Sequence, residues 1–387
     1  MTTGAEDQPG TDSLVEDLVV VEPVTVPETK LDFLDSERML EATMTMPDQV
    51  AAARDVAQGL DGLPDREEIE QVVVLGMGGS AIAGDVLMAA AGPYLPLPVL
   101  VFRSYHVPAF VDEGTLVFAI SFSGDTEETV EAVTAAALQG ARVVAVTRGG
   151  ELGHLAQSWG APMVPVPVDI PQPRAALAAL AIPPLVVLED IGLFPGASYW
   201  IDAAIEQLKV RRDQMSKPAN PAVQLARRIG RTMPLIHGGG GLGAVAAQRW
   251  KTDVNENAKC PAFWNMQSEL CHNEVSGWGQ HGDLTRQMFT LVNLRHDFEH
   301  PQVMHRFKLT AELLDEVVSS VEEVEAEGEG ELAQLLDLIL VGNLTSLHMA
   351  FQEGIDPGPI PAQEQIKNAL ATSIQTAVAG DDQGAFE

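Results

Sequence analysis

The sequence predicts an α/β fold in which doubly wound parallel sheets are flanked by helices, set out as two domains in succession. Three observations predict it. Short apolar runs of strand length alternate with helix-like stretches over residues 72–166, the pattern of a parallel sheet covered on both faces. A strand, a glycine-rich loop and a helix follow one another twice, at residues 72–85 and 233–259, in outline a degenerate duplication. The chain has 387 residues, enough for two ordinary domains that each bury a core.

Residues 1–37 read as an acidic, flexible arm. Glu6, Asp7, Asp12, Glu16, Asp17, Glu22, Glu28, Asp32 and Asp35 stand there against the single Lys30, and Pro9, Pro23 and Pro27 punctuate it. Its apolar run Leu18-Val-Val-Val21 is a candidate edge strand. The first domain, residues 38–195, opens with helix at 39–60, whose second part starts at Pro47, a favoured first-turn position. Strands are expected at 72–75, 98–102, 115–120, 142–146 and 163–166, with helices at 81–91, 130–139 and 151–158. A proline-rich bend at 167–174 leads into long helices at 175–189 and 198–215, which connect the domains. The second domain, residues 196–387, has strands at 233–236 and 288–294 and a helix at 244–259. An amphipathic helix is expected at 309–325, with Leu313, Leu314, Val317, Val318, Val321 and Val324 on one side. An apolar helix then runs to about residue 353, Gly354-Ile-Asp-Pro-Gly-Pro359 stops it, and a last helix from Ala362 carries Lys367.

Composition excludes several function classes. Asp plus Glu number 55 against 23 Lys plus Arg, a net charge of −32. A surface so acidic repels nucleic acid and anionic lipid, so an anionic substrate needs a locally positive pocket. The two cysteines, Cys260 and Cys271, imply no disulfide framework and read as free thiols. The start of the chain has no positive n-region or apolar h-region, and the apolar stretch at 175–188 is too short to span a bilayer. The cytoplasm is therefore the expected location.

The chemistry concentrates at Ser121-Phe-Ser-Gly-Asp-Thr126-Glu-Glu-Thr129, between a strand end and a helix start. Backbone N–H groups lack partners there and the helix dipole favours an anion. Ser121, Ser123 and Thr126 add hydroxyl donors and Gly124 permits close backbone approach, so the stretch reads as a phosphate cradle. The plain alternative is a helix cap, which needs only one such residue. Gly76-Met-Gly78-Gly79-Ser80-Ala81 fits a dinucleotide pattern, as do Gly238, Gly240 and Gly243, both weakly. The strand after the first loop ends in Phe102-Arg103-Ser104 without the ribose-binding acid, although Arg103 suits a 2′-phosphate. Glu256, between Asn255 and Asn257, has the type of a general base, and a solvated helix end is the simpler reading of it alone. His272, between Glu269 and Glu274, is either a proton-transfer group or part of a surface loop. The spacing of His281, His296, His300 and His305 suggests no metal site.

Together, Gly76-Met-Gly-Gly-Ser80, the Ser121–Thr129 stretch, Asn255-Glu-Asn-Ala-Lys259, His272-Asn-Glu274 and a carboxyl-terminal lysine resemble the bifunctional phosphoglucose/phosphomannose isomerases. The resemblance covers residues 38–375 and implies two SIS-type (sugar isomerase) domains. It implies interconversion of glucose 6-phosphate or mannose 6-phosphate with fructose 6-phosphate through an enediol, without a metal or organic cofactor. It also implies a homodimer with a shared active site. By motif, Gly78, Gly79, Ser80, Ser121, Ser123 and Thr126 would hold the phosphate, and Glu256 would be the base. His272 from the neighbouring subunit and Lys367 would open the sugar ring, and Arg174 would steady the enediolate. The acidic arm lies outside the resemblance, and Gly358 follows Asp356-Pro357 where many members of that family carry a threonine associated with mannose-type substrates. The second glycine loop lacks hydroxyls, so only the first domain is expected to bind phosphate. A non-catalytic SIS protein that senses a phosphosugar is the rival. It would keep the hydroxyl loop but need not keep Glu256, His272 and Lys367 together. A nucleotide-dependent enzyme using Arg103 is a third reading.

Overall fold

The computed structural model describes Met1 and residues 34–370, so the candidate strand at residues 18–21 and the chain beyond 370 lie outside the described residues. Two short helices, α1 (Met39–Met44) and α2 (Met46–Ala57), precede the first sheet, and Pro47 sits in the opening turn of α2. The chain then runs β1 (Gln71–Leu75), α3 (Gly78–Ala90), β2 (Val99–Phe102), β3 (Thr115–Ser121), α4 (Glu127–Leu138), β4 (Arg142–Thr147), α5 (Gly150–Trp159) and β5 (Met163–Pro165). These strands form a parallel sheet in the order β2-β1-β3-β4-β5. After β2 the winding reverses to the other side of β1. The carboxyl ends of β1 and β3 therefore flank a topological switch point, where ligands bind in such sheets.

Three helices connect the halves: α6 (Leu177–Asp190), α7 (Ala197–Met215) and α8 (Pro221–Ile229). The second sheet comes from β6 (Met233–Gly239), α9 (Gly240–Asn257), β7 (Phe263–Gln267), α10 (Gly282–Met288), β8 (Phe289–Arg295), α11 (Pro301–Leu314) and β9 (Val321–Glu325). It is parallel, in the order β7-β6-β8-β9. The apolar helix α12 (Glu331–Gln352) follows, and residues 361–370 are helical. Two parallel sheets flanked by helices is the architecture the sequence predicts.

Alternation along the strands explains how the two halves join. Val72, Val74, Leu116, Phe118 and Ile120 of the first sheet share one core with Ile236, Val292 and Leu294 of the second. Val73, Leu75, Val117 and Ala119 face the opposite way, into a separate cluster under α4 and α5, and Leu235 and Leu291 do the same in the second sheet. Side chains two apart share a face, so each sheet shows one face to a common helical layer that includes α3, α6, α9 and α12. α3 and α9 run antiparallel in that layer. A Cβ on Gly241, at the start of α9, would lie 3.8 Å from Cβ of Ala89 at the end of α3. A Cβ on Gly79, at the start of α3, would lie 3.4 Å from Nη1 of Arg249, farther along α9. The last turns of α9 are thereby carried to the carboxyl pole of the first sheet.

The structure corrects several expectations. Residues 309–325 are not one helix: α11 ends at Leu314, and Val321-Glu-Glu-Val-Glu325 forms edge strand β9 beside β8. The valines that suggested a helical stripe are β-branched and fit a half-buried strand better. The strand β7 and the helix α8 have no counterpart among the sequence expectations; Phe263-Trp-Asn-Met-Gln267 lacks the β-branched run that marks strands. α12, at 22 residues, exceeds the stretch at 175–188 in length and is apolar enough to cross a membrane, but 94% of its most apolar window is buried inside the fold.

Candidate active site

The hydroxyl loop begins at the end of β3. Ser121 is fully buried, and its Oγ lies 2.9 Å from Thr126 Oγ1 and accepts from Gly124 N–H at 3.1 Å. Ser123 is exposed and its Oγ accepts from Asp125 N–H at 3.2 Å. Asp125 in turn accepts from Glu151 N–H at 2.9 Å, which ties the loop to the start of α5. Thr126 is the N-cap of α4 without making a side-chain cap bond, so the plain cap expected of such a residue is absent. Ser121 thus braces the loop from inside while Ser123 and Thr126 lie toward its open side. Gly124 has φ +84°, and a Cβ there would lie 1.8 Å from the Gly149 carbonyl oxygen. That loop-to-loop approach and the positive φ require glycine there. Glu127 and Glu128 already complement the dipole in the first turn of α4, so an anion would depend on N–H and hydroxyl groups there.

Gly78, Gly79 and Ser80 form the first turn of α3, which starts within the glycine loop. Ser80 is buried and its Oγ accepts from Phe122 N–H at 3.4 Å, so the glycine turn and the hydroxyl loop adjoin at the switch point. Arg103 is already engaged: it donates to Asp85, a buried carboxyl on α3 that desolvation pushes up in pKa. That pairing weighs against a 2′-phosphate role.

At the same pole stands the end of α9. The Glu256 side chain is 27% exposed, and its Oε2 lies 3.7 Å from Nη1 of Arg174. Arg174 is 2% exposed and sits in the turn after the proline-rich bend. Its Nε donates to Asn257 Oδ1 at 2.6 Å, and its Nη2 donates to the carbonyls of Pro357 and Gly358, the latter at 2.7 Å. Nη1 is buried without a hydrogen-bond acceptor. Burial pushes the guanidinium below its ordinary pKa, against the pull of Glu256. A buried cation with a spare donor beside a carboxylate suits an oxyanion that develops where a proton is moved. The flanking amides do not hold Glu256: Asn255 donates to the Cys260 carbonyl at 2.9 Å, and Asn257 is taken up by Arg174 and Ser346. Lys259, at φ +54°, donates to the carbonyls of Glu256 and Pro357. A Cβ on Gly358 would lie 2.8 Å from Glu37, so the Glu37 side chain fills the space beside that residue.

Two residues to which the sequence assigned no role lie in the same frame. Arg249, 1% exposed, donates from Nε to Asp253 Oδ2 at 3.0 Å and from Nη2 to the Arg174 carbonyl. Asp253 is fully buried, and desolvation raises its pKa to about 6 despite Arg249. Their i, i+4 spacing on α9 is the only sequence signal.

His272 and Lys367 are placed elsewhere. His272 is exposed on a short turn past the end of β7. That segment is anchored by Glu274, which bonds buried His237 at 3.0 Å and Asn265 at 2.8 Å. Lys367 is exposed on the helical residues 361–370. Neither makes a hydrogen bond or ion pair with Glu256 or Arg174 among the described residues. The second glycine loop faces an acid: a Cβ on Gly239 would lie 3.2 Å from Oε1 of buried Glu299, a poor neighbour for phosphate.

A family model described as the SIS domain matches residues 67–155, and one described as the bacterial phospho-glucose isomerase C-terminal SIS domain matches residues 218–370. The chain is 34% identical over 337 residues to a bifunctional phosphoglucose/phosphomannose isomerase of Caldicellulosiruptor bescii, covering 86% of this chain and 99% of that one. A protein of the same name from Thermoplasma acidophilum is 31% identical over 333 residues, covering 86% and 97%. Among solved structures, the C-terminal domain of glucosamine-fructose-6-phosphate aminotransferase from Francisella tularensis superposes with a TM-score of 0.63 at 18% identity, over 83% of this chain and 98% of that one. That likeness speaks for the fold alone.

Proposed function

The chain belongs to the bifunctional phosphoglucose/phosphomannose isomerase family, and from that premise we propose that it interconverts glucose 6-phosphate and mannose 6-phosphate with fructose 6-phosphate through an enediol. The observation that carries the chemistry is the pairing of Glu256 with the buried, partly unpartnered guanidinium of Arg174. In the open-chain sugar, Glu256 removes the proton beside the carbonyl and returns it to the neighbouring carbon. Arg174 offers positive charge to the oxygen that becomes negative in between. The phosphate sits at the switch point against the Gly78–Ser80 turn and the N-terminus of α4, with Ser123 and Thr126 as hydroxyl donors. His272 and Lys367 assist ring opening in this reading. The first domain, residues 38–195, supplies the phosphate site, and the second, residues 196–387, supplies the base.

The working unit in this reading is a homodimer with a shared site. The polarity of α9 supports it. Gln267 at the end of β7 pairs with Gly239, beside the start of α9, and His272 lies just past it. Glu256 is 16 residues farther along the helix, about 24 Å at 1.5 Å per residue. One chain therefore holds the two groups at opposite ends of α9. Edge strand β7 pairs on one side only, and its Phe263 and Met266, on opposite faces of the strand, are 50% and 41% exposed, which leaves apolar groups for a second copy to cover. The unpaired thiols Cys260 and Cys271 accord with a cytoplasmic setting.

The test is a coupled assay of fructose 6-phosphate turnover, read separately as glucose 6-phosphate and mannose 6-phosphate. Formation of both supports the full activity, and formation of one narrows it. No turnover and no solvent deuterium in the recovered sugar would leave a phosphosugar-binding protein.

A further inference from the structure

The proposed activity assigns work to Glu256, Arg174 and the Gly78–Ser80 turn, and a single buried side chain touches the frame of all three. Resting on that activity, we propose that Arg249 and Asp253 form a positioning pair, a clamp that fixes the start of α3, the Arg174 backbone and the end of α9 as one unit around Glu256. Arg249 reaches out of the second half of the chain into the first. Its Nη2 donates to the carbonyl oxygen of Arg174, and its Nη1 lies 3.4 Å from where a Cβ on Gly79 would stand. Asp253 aims it: Oδ2 accepts from Nε at 3.0 Å, and Oδ1 lies 2.8 Å from Nη2. Asp253 is one turn before Glu256 on α9, so the fork that grips the first domain is rooted next to the base.

The energetics favour this role over simple stabilisation. Both side chains are removed from water, Arg249 at 1% exposure and Asp253 at 0%. Desolvating two charges offsets most of their attraction, and apolar side chains of similar volume often fill such a site without loss of stability. A fixed geometry is what a buried pair adds and an apolar pair lacks. Base catalysis needs that geometry, because a displacement of about 1 Å can cost on the order of 10²-fold in rate. The raised pKa of Asp253 fits the same picture: it is mainly a desolvated carboxyl, held ionised by Arg249.

The test compares Arg249→Lys, Asp253→Asn and the double variant Arg249→Met/Asp253→Leu with the wild type. The readouts are kcat and KM for fructose 6-phosphate, the Kd for inorganic phosphate by calorimetry, and the unfolding midpoint. The expected result is a fall in kcat of about 10- to 100-fold in both single variants, with KM and the phosphate Kd within about threefold of wild type. The double variant, whose core is neutral again, is expected to regain stability without regaining turnover, which a merely structural pair would not do. Wild-type kcat in the folded single variants would overturn the pair's role. A loss confined to KM, or recovery of kcat together with stability in the double variant, would do the same. A wild type without turnover overturns the activity itself and the pair's role with it.

Discussion

Thr126 ends the loop from β3 without capping α4, and among the described residues its hydroxyl bonds Ser121. A hydroxyl at a helix N-terminus that is not spent on the helix is free to turn to a phosphate. Thr126→Val keeps the shape and removes the donor, so phosphosugar binding should weaken by about 1–3 kcal/mol, the cost of an unmet partner for a charged group. Calorimetry showing unchanged affinity in a folded variant would remove Thr126 from the site. Glu256→Gln keeps size and polarity but cannot take a proton, so turnover should fall by roughly 10²–10⁴-fold with binding little changed. Near wild-type isomerisation by this variant would place the base elsewhere. Asp253 gives a pH signature. Its folded pKa, about 6, lies above the ordinary carboxyl value of 3.8, so the folded state holds the proton more tightly than the unfolded one. Its contribution to stability is fully present below about pH 4 and is lost as pH rises through about 6. Asp253→Asn should flatten that part of a stability-versus-pH curve, and an unaltered slope would show that another group sets it. The hydroxyl loop was readable in the sequence because its parts are contiguous. The bond of Arg249 to the Arg174 carbonyl and its close approach to Gly79 were not, because they exist only once α3 packs antiparallel to α9.

At the scale of elements, strands that bury both faces were the most legible. Val72–Leu75 and Thr115–Ile120 are continuous apolar runs, and β1 and β3 form there with one added residue each. The edge strands of the second sheet were the least legible, whereas β2 and β5, the edges of the first, form within the runs expected at 98–102 and 163–166. β7 and β9 each lean on one neighbour, so Phe263-Trp-Asn-Met-Gln267 can mix polar and exposed residues, and Val321-Glu-Glu-Val-Glu325 could pass for the end of a helix. Helix starts were read late at α3 and α4, since Gly78, Gly79 and Glu127 look like loop until the backbone is seen to turn. Packing between helices leaves one sharper mark. Gly342 on α12 faces Trp250 on α9, and a Cβ there would lie 2.2 Å from Nε1 of the indole. The ring is fully buried and its N–H is fixed on the Leu338 carbonyl at 2.7 Å, so it has no room to retreat. Gly342→Ala should therefore destabilise the protein by about 1–3 kcal/mol through overpacking, even though alanine favours helix. Denaturant unfolding with an unchanged midpoint would contradict that tight crossing.

Across the whole molecule the charge and the helix polarity act together. A chain of net charge −32 gathers Arg174, Arg249 and Lys259 at the pole where α9 ends. Asp253, Glu256, Glu37 and Asp356 stand beside these cations, so the pole offers an anionic sugar phosphate placed donors, the unpartnered Nη1 of Arg174 among them, rather than excess positive charge. That same pole lacks His272, which projects from the far end of the second sheet into solvent. If the proposed homodimer completes each site with the partner's histidine, activity must obey complementation. Glu256→Gln removes the base from its own chain's site and leaves its histidine intact. His272→Ala does the reverse. A mixed dimer of the two inactive variants then has one site with both defects and one with neither. Random exchange at equal concentrations places half of the chains in mixed dimers, and each mixed dimer holds one intact site of two. About a quarter of wild-type activity should return, on the order of a tenfold or greater rise over either variant alone given the expected loss from Glu256→Gln. Exchange must be verified, for example with one variant tagged, because a dimer that never dissociates would mimic failure. With exchange shown and no activity recovered, each chain would have to complete its own site, and the 24 Å or so along α9 would need a large rearrangement to close.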